Sequence, residues 1–113
     1  MASYDIRYDQ DQYYFDLESP FRDLPESAQQ MLGDRMMPDS EWKRVADRVG
    51  FSAISIEVLA AMHTARAAHQ MLREWGRRNG STLRVLSQTL SDIERRDIIT
   101  LLDDIRKRKS TSN

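Results

Sequence analysis

The chain has 113 residues, of which 40% are apolar and 31% are charged, with 17 basic and 18 acidic side chains. This balance is typical of one folded domain and argues against a disordered or membrane-spanning chain, because no apolar run approaches the roughly 20 residues that a bilayer requires. The absence of cysteine excludes disulfides and thiolate zinc sites. A net charge of −1 argues against binding to duplex DNA, and we expect a reducing, cytoplasmic location.

The first 23 residues differ from the rest in charge and pattern. Residues 1–23 carry six acidic side chains against two arginines and show neither helical nor strand periodicity. We predict an acidic, tyrosine-rich and mostly flexible arm over these residues, a folded domain over 24–108 and a frayed tail over 109–113. The alternative for the arm is that three of its aromatic residues dock on the domain or on a partner: Tyr13, Tyr14 and Phe15.

The chain beyond the arm divides into six short segments, each with apolar residues at helical spacing. Their approximate bounds are 25–36, 40–49, 53–62, 64–78, 83–93 and 97–105. Asp39 or Ser40, Ser52, and Ser81 or Thr82 are the expected N-caps of the second, third and fifth helices, and Gly50 is expected to end the second. Trp42 and Trp75 lie on apolar stripes, which in the fourth helix also include Ala61, Ala65, Ala68 and Leu72, and both are predicted to anchor the core. No long stretch alternates with period two, so the sequence predicts an all-α bundle.

Catalytic and metal-binding patterns are missing from the sequence. His63 and His69 are six residues apart, which does not place them on one helical turn as a metal pair. The four glycines are far apart and form no phosphate-binding loop, and no nucleophilic serine lies in a Gly-x-Ser-x-Gly turn. We therefore predict a protein without enzymatic activity, cofactor, metal ion or small-molecule substrate.

Four stretches of the sequence resemble one known family. They are Asp39–Ser52 (DSEWKRVADRVGFS), Met71–Gly76 (MLREWG), Gly80–Leu86 (GSTLRVL) and Glu94–Leu102 (ERRDIITLL). In this order they are similar to helices two, four, five and six of death domains, and the resemblance covers residues 24–106. It implies a six-helix antiparallel Greek-key bundle that binds other death-domain proteins, as a signalling adaptor module in oligomeric assemblies of innate immunity or apoptosis, and performs no chemistry.

The subgroup within this family is less sharply marked. The dipeptides Leu24-Pro25 and Trp75-Gly76 and the turn Asn79–Thr82 look most like the Toll and interleukin-1 receptor pathway, with its Pelle and receptor-associated-kinase domains and their adaptors. The segment Arg96–Leu102 looks equally like death domains of ankyrin-type proteins or neurotrophin receptors, and netrin-receptor domains are a further alternative.

Charged residues in turns and on exposed helix faces are the expected contacts with a partner. The best candidates follow the fourth helix, where a guanidinium can engage a carboxylate with two hydrogen bonds: Arg77, Arg78 and Asn79. A second group precedes or opens the sixth helix: Glu94, Arg95, Arg96 and Asp97. The remaining candidates lie on the first three helices or just after them: Asp34, Arg35, Lys43, Arg44, Asp47, Arg48, Glu57, Met62 and His63.

A second class of function remains open at this point. A small helical nucleic-acid-binding domain would use cationic side chains on phosphates, and the chain offers Arg73, Arg77, Arg78 and the basic run 106–109. Phosphate binding weakens steeply as salt rises, whereas binding to a specific protein depends on the partner.

Overall fold

The computed structural model describes residues 14–107, and within this range it contains six α-helices and no β-strand. The helices are α1 (Glu26–Met36), α2 (Glu41–Arg48), α3 (Ala53–Met62), α4 (Ala67–Gly76), α5 (Leu83–Asp92) and α6 (Arg96–Lys107). Short 3-10 turns precede three of them, at Phe21–Asp23, Pro38–Ser40 and Thr64–Arg66. The prediction of an all-α, six-helix bundle is confirmed.

Polar caps and glycines set the helix ends where the sequence places them. The hydroxyl of Ser52 accepts a hydrogen bond from the Ser55 amide at 3.1 Å, and the hydroxyl of Thr82 accepts one from the Val85 amide at 3.3 Å. These side chains satisfy amides that the first turn of a helix leaves without a partner. Gly50, which follows Val49, the C-cap residue of α2, has φ of +107°, a conformation that favours glycine.

The start of α2 and the extent of α4 differ from the prediction. Ser40 has a left-handed backbone with φ of +56°, so it precedes α2 without forming a side-chain cap. The fourth segment, predicted as one helix over 64–78, has a 3-10 turn over Thr64–Arg66 and is α-helical only from Ala67 to Gly76. Ala61 and Ala65 were predicted on its apolar stripe and are both exposed, because alanine gains little from burial and does not fix which face turns inward.

The core fills the space where the six helices meet. α1 packs against α4 and α6, α4 also packs against α2 and α3, and α5 packs against α6 and α2. Both tryptophans are buried as predicted, with exposures of 2% for Trp42 and 4% for Trp75. The largest fully buried side chains are Phe21, Leu32, Met36, Val45, Met71, Leu72, Leu83, Leu86, Leu90, Ile98 and Leu102.

Residues 14–20, which we call the N-terminal strap, pack against the bundle and differ from the predicted flexible arm. The carbonyls of Ser19 and Leu17 accept hydrogen bonds from the amides of Leu83 and Arg84, at 2.9 and 2.8 Å. Phe21, just beyond the strap, is fully buried in the core. The predicted boundary at residue 24 therefore falls inside the packed region, because Phe21 contributes to the same core as the helices. Residues 1–13 and 108–113 lie outside the described range.

Candidate protein interface

Sixteen residues predicted as partner contacts all lie at the surface of the bundle. Fourteen of them are exposed, and two, His63 and Arg95, are half-buried. The structure divides them into residues whose side chains are held by the bundle itself and residues whose side chains remain available. The residues that are not engaged within residues 14–107 are the better candidates for partner contacts.

The turn between α4 and α5 presents Arg77, Arg78 and Asn79, and we call it the arginine corner. The guanidinium of Arg78 lies 4.1 Å from the centre of the Phe51 ring, so a cation–π contact holds it beside the start of α3. The hydroxyl of Ser81 donates to the Arg78 carbonyl at 2.8 Å and fixes the turn. The side chains of Arg77 and Asn79 form no hydrogen bond or ion pair with residues 14–107. Within residues 14–107 the corner therefore offers one unengaged guanidinium, that of Arg77, on a turn that a hydrogen bond fixes.

The turn between α5 and α6 contains an internal ion-pair network. Arg95 donates from Nε and Nη2 to the two carboxylate oxygens of Asp97, at 2.9 and 2.8 Å, and from Nη1 to Glu41 at 3.2 Å. The hydrogen bonds from Arg95 lower the pKa of Asp97 from 3.8 to about 2 and raise the pKa of Arg95. Because Glu41 opens α2, this network joins the turn to another helix. Arg95 and Asp97 therefore connect this turn to α2 and stabilise the packing between them.

Three further predicted contacts are also held in ion pairs. Arg44 donates to the nearly buried carboxylate of Glu41 at 2.9 Å. Arg48 lies 3.3 Å from Asp92 of α5, and Arg35 lies 3.8 Å from Asp97. The Arg48–Asp92 and Arg35–Asp97 pairs are about half exposed and each contributes at most about 1 kcal/mol, so they orient the side chains more than they stabilise the fold.

The charged and amide side chains that remain available surround the bundle in several places. Among residues 14–107 none pairs with the following predicted contacts: Lys43, Asp47, Glu57, Arg77, Asn79, Glu94 and Arg96. The arginine corner and the pair Glu94 and Arg96 lie at opposite ends of α5. A ten-residue helix is about 15 Å long, so these two groups belong to different surfaces.

The sequence analysis missed a close contact between α1 and α4. His69 Nε2 lies 2.7 Å from the carboxylate of Asp34. Asp34, which was predicted as an interface residue, is therefore engaged within the domain. The imidazole packs on Gly33, where a Cβ would lie only 2.6 Å from His69 Cδ2. The other ring nitrogen, Nδ1, is buried without a hydrogen-bond partner among residues 14–107. A glycine in the middle of α1 was the available sequence signal for a close helix approach.

The outward side of α3 is apolar, and we call Ile54, Val58, Ala61 and Met62 the α3 face. The exposed fractions of the three large side chains are 77% for Ile54, 48% for Val58 and 70% for Met62. Only Leu59 of this helix is buried, although all four of its large aliphatic residues were predicted to carry an apolar pattern. The signal in the sequence is that α3 is apolar around its whole circumference, with a single charge at Glu57.

Residues 14–107 show neither a metal-binding cluster nor a membrane-spanning helix. This range contains no cluster of three or more histidine, cysteine or acidic side chains arranged to hold a metal ion. None of its helices has the length and apolar character needed to cross a bilayer.

A closed helical core that carries its charges in turns and on outer helix faces defines a small protein-interaction domain. The death domain family model matches residues 27–106, and this chain belongs to the death domain family. Death domains are non-enzymatic protein-interaction modules. No solved structure gives a significant match to the chain.

Two curated relatives share part of this sequence. The chain is 30% identical over 84 residues to the "Death domain-containing membrane protein NRADD" of Mus musculus, covering 70% of this chain and 36% of that protein. It is 34% identical over 67 residues to the protein of the same name from Rattus norvegicus, covering 58% of this chain and 28% of that protein. The chain thus spans about a third of the length of the relatives it matches.

These relatives correct the predicted location. The sequence led us to expect a cytoplasmic protein, but both relatives are named as membrane proteins, so that prediction is wrong. The physical reason is that the composition and charge of a small domain report on that domain alone and carry no signal of how a protein associates with a membrane.

Proposed function

We propose that this chain works as a signalling module that binds other death domains through its charged turns and assembles with them into a receptor-proximal complex without performing chemistry. The observation that carries the proposal is the arginine corner, where the free guanidinium of Arg77 stands on a hydrogen-bonded turn beside Arg78. The guanidinium of Arg78 is held over Phe51 and therefore loses little side-chain freedom when it engages a carboxylate, while Arg77 beside it adds a second positive charge that favours an acidic partner.

The placement of the available charges supports an open assembly. Arg77 and Asn79 lie at one end of α5, and Glu94 and Arg96 lie at the other. When two different surfaces of a molecule meet two different neighbours, contacts are heterologous and grow into stacks instead of closing as a dimer. Because such contacts are small and polar, charge complementarity selects the partner more than buried area does.

The pathway of the partner is a finer proposal with two candidates. The sequence resemblance at Leu24-Pro25 and Trp75-Gly76 favours the Toll and interleukin-1 receptor type. The relatives favour the alternative of a membrane-receptor type, of which neurotrophin- and netrin-receptor death domains are examples, because both are named as membrane proteins. Mixing the chain with partner domains of each type separates the two.

The test is a charge reversal at the arginine corner in the full chain. We expect Arg77→Glu to weaken association with a purified death-domain partner by at least about tenfold, since a desolvated interface arginine contributes roughly 1 to 3 kcal/mol. Complex size followed by light scattering is the measurement. Arg77 is preferable to Arg78 as the first variant, because reversing Arg78 also removes its contact with Phe51.

A matched control reverses a charge elsewhere. Asp104 is exposed on α6 and was not proposed as a contact, so Asp104→Lys should leave association unchanged. Equal complex formation by the native chain and Arg77→Glu would contradict the role of the corner. Binding to arbitrary DNA that weakens steeply with salt would instead favour the nucleic-acid alternative.

A further inference from the structure

A polar cleft lies between the first half of α1 and the segment that runs from the end of α3 into α4. Its volume is about 230 Å³, several times the roughly 30 Å³ that one water molecule takes in the liquid. On the α1 side it is lined by Glu26, Gln29 and Gln30, which share a face of the helix because they are three and four residues apart. The proposed function rests on the arginine corner and on the two ends of α5, none of which lines this cleft.

The opposite side of the cleft is basic. Arg66 and Arg73 line it together with two imidazoles, those of His63 and His69. The two arginines are seven residues apart, which is close to two helical turns, so they lie along the same side of this segment. Glu26 is the one acidic residue among the lining residues, and the cleft therefore carries a net positive charge.

Some of the lining side chains are held by hydrogen bonds within the domain. Nε2 of Gln29 donates to a backbone carbonyl at 2.8 Å, and Nε2 of Gln70 donates to the carboxylate of Glu74 at 3.1 Å. The ring of His69 is fixed by its contact with Asp34. These side chains form ordered walls.

Other lining side chains keep their donors unused. The side chains of Gln30, His63 and Arg66 form no hydrogen bond or ion pair with residues 14–107. Arg73 approaches Glu26 only to 3.5 Å, which is beyond the usual range of a hydrogen bond. The amide of Arg66 donates to the carbonyl of His63 at 2.6 Å, so the turn fixes the spacing of these two residues. Their N–H groups are available to a ligand.

Unused donors and positive charge indicate an anionic ligand rich in acceptors. A phosphate monoester carries a charge of about −1.5 to −2 at pH 7 and three strong acceptor oxygens, whereas a carboxylate has a single charge and two oxygens. A guanidinium binds a phosphate through two parallel hydrogen bonds. The larger charge of the phosphate also offsets the repulsion from Glu26 better than one carboxylate would. Such a site is built from side chains, so it requires no glycine-rich loop.

We propose that the cleft between α1 and α4 binds a phosphate monoester group, with Arg66 and Arg73 on the phosphate oxygens and with His63 and Gln30 as further donors. The group is carried by a small soluble molecule or by a phosphorylated lipid headgroup, which present the same chemistry to the cleft. The proposal goes beyond the proposed function and does not depend on it, because the arginine corner takes no part in the site.

Titration of the isotope-enriched full chain with inorganic phosphate tests the proposal, at an ionic strength held constant with sodium chloride. In nuclear magnetic resonance spectra we expect the backbone amides of residues 63–70 to shift along a one-site saturation curve. Glycerol 3-phosphate, a monoester, should produce the same pattern of shifts. Acetate, a monocarboxylate, should produce much smaller shifts.

Two variants remove the guanidinium groups one at a time. Arg66→Gln and Arg73→Gln change exposed side chains, so the fold should be retained, and the amide spectrum reports the fold directly. Each variant should weaken phosphate binding by at least about tenfold, the change expected when a charge-assisted hydrogen bond is lost. Arg96→Gln is the matched control, because Arg96 is an exposed arginine without a partner in residues 14–107 and does not line the cleft. It should leave the affinity unchanged.

Vesicles identify the source of the phosphate group. Phosphatidylcholine vesicles that contain phosphatidylinositol 4-phosphate present a monoester, whereas vesicles of equal charge that contain phosphatidylserine present phosphodiesters and carboxylates only. Sedimentation of the chain with the first vesicles and not with the second, lost in Arg66→Gln, would assign the ligand to a lipid headgroup. Saturable shifts with glycerol 3-phosphate and no sedimentation would assign it to a soluble molecule.

Three results would overturn the proposal. The first is the absence of saturable shifts around the cleft with phosphate and glycerol 3-phosphate, or equal shifts with acetate. The second is an equal affinity for phosphate in the native chain, Arg66→Gln and Arg73→Gln. The third is a set of shifts at these amides with duplex DNA of arbitrary sequence and none with the monoester, which would assign the two arginines to nucleic-acid phosphates.

Discussion

At the scale of single residues, Gly33 and His69 set how closely α1 approaches α4. A Cβ at Gly33 would meet His69 Cδ2 at 2.6 Å, so we expect Gly33→Ala to displace the ring and to break its contact with Asp34. Overpacking costs about 1 to 3 kcal/mol, and the roughly 1 kcal/mol that alanine adds to a helix offsets part of it, so the free energy of unfolding should fall by up to about 2 kcal/mol. Urea unfolding measures it.

A second substitution at the same contact isolates the cause. In a His69→Ala background the space beside Gly33 is open, so Gly33→Ala should then stabilise the protein by up to about 1 kcal/mol. The two-residue cycle thus predicts a change of sign. Additive losses in the single and double variants would contradict a direct contact between these residues.

Asp97 gives the bundle a dependence on acid. Its pKa in the folded state is about 2, below the ordinary 3.8, because Arg95 hydrogen-bonds the carboxylate. The pair therefore contributes to stability above the ordinary pKa, and this contribution is lost as the pH falls toward 2. Asp97→Asn should lower the free energy of unfolding at pH 7 by at most about 1 kcal/mol, since the group is half exposed.

The difference in the free energy of unfolding between the native chain and Asp97→Asn should disappear near pH 2, where the carboxyl group of Asp97 in the native chain is also becoming neutral. Denaturant unfolding at several pH values measures this convergence. Asp104→Asn serves as the control, because Asp104 is exposed on the same helix and forms no ion pair within residues 14–107. A loss for Asp97→Asn that is the same at all pH values would assign the effect to something other than its charge.

At the scale of elements, the N-terminal strap completes α5. The carbonyls of Ser19 and Leu17 accept from the first two amides of the helix, and the Thr82 hydroxyl accepts from the third. Helix starts leave these donors without partners unless another group supplies acceptors. The family match begins at residue 27, so the strap and Phe21 are additions to the matched region on which α5 depends.

Two aromatic truncations compare the buried and exposed ends of this segment. Phe21→Ala should cost about 3 to 5 kcal/mol, because Phe21 is fully buried against Trp75. Tyr14→Ala should cost no more than about 0.5 kcal/mol, because Tyr14 is 58% exposed. Thermal unfolding measures both. Similar losses of stability for the two variants would contradict the packing described here, in which Phe21 is buried and Tyr14 is exposed.

At the scale of the whole molecule, helical spacing and end signals were enough to predict the bundle. The alternation of Ala68, Leu72 and Trp75 identified a buried face, and Ser52 and Gly50 located the connection between two helices. Apolar spacing and helix end signals each involve only a few neighbouring residues. They can therefore be recognised in the sequence without knowing which helices pack together. The predicted interface residues lie at the surface for the same reason, since charged side chains off an apolar stripe face solvent.

The features that sequence reasoning missed depend on contacts between distant residues. Nothing in the local pattern shows that Arg95 reaches Glu41 on another helix, or that His69 covers Gly33. The outward direction of Ile54 follows from where α4 lies relative to α3. Such facts come from packing, and packing also decided that Phe21 belongs to the core.

The amide of Phe15 donates to the carbonyl of Arg106 at 3.1 Å, and Nε of Arg106 donates back to the carbonyl of Phe15 at 3.0 Å. This clasp places the incoming and outgoing backbone side by side. In a longer polypeptide the two segments that flank the domain would therefore start close together. Inserting or deleting the domain would change the distance between those two segments very little. A force that pulls the two ends of such a polypeptide apart would act first on the hydrogen bonds between Phe15 and Arg106. The hydrogen bonds between the N-terminal strap and α5 would break next, and the helices would unfold after them.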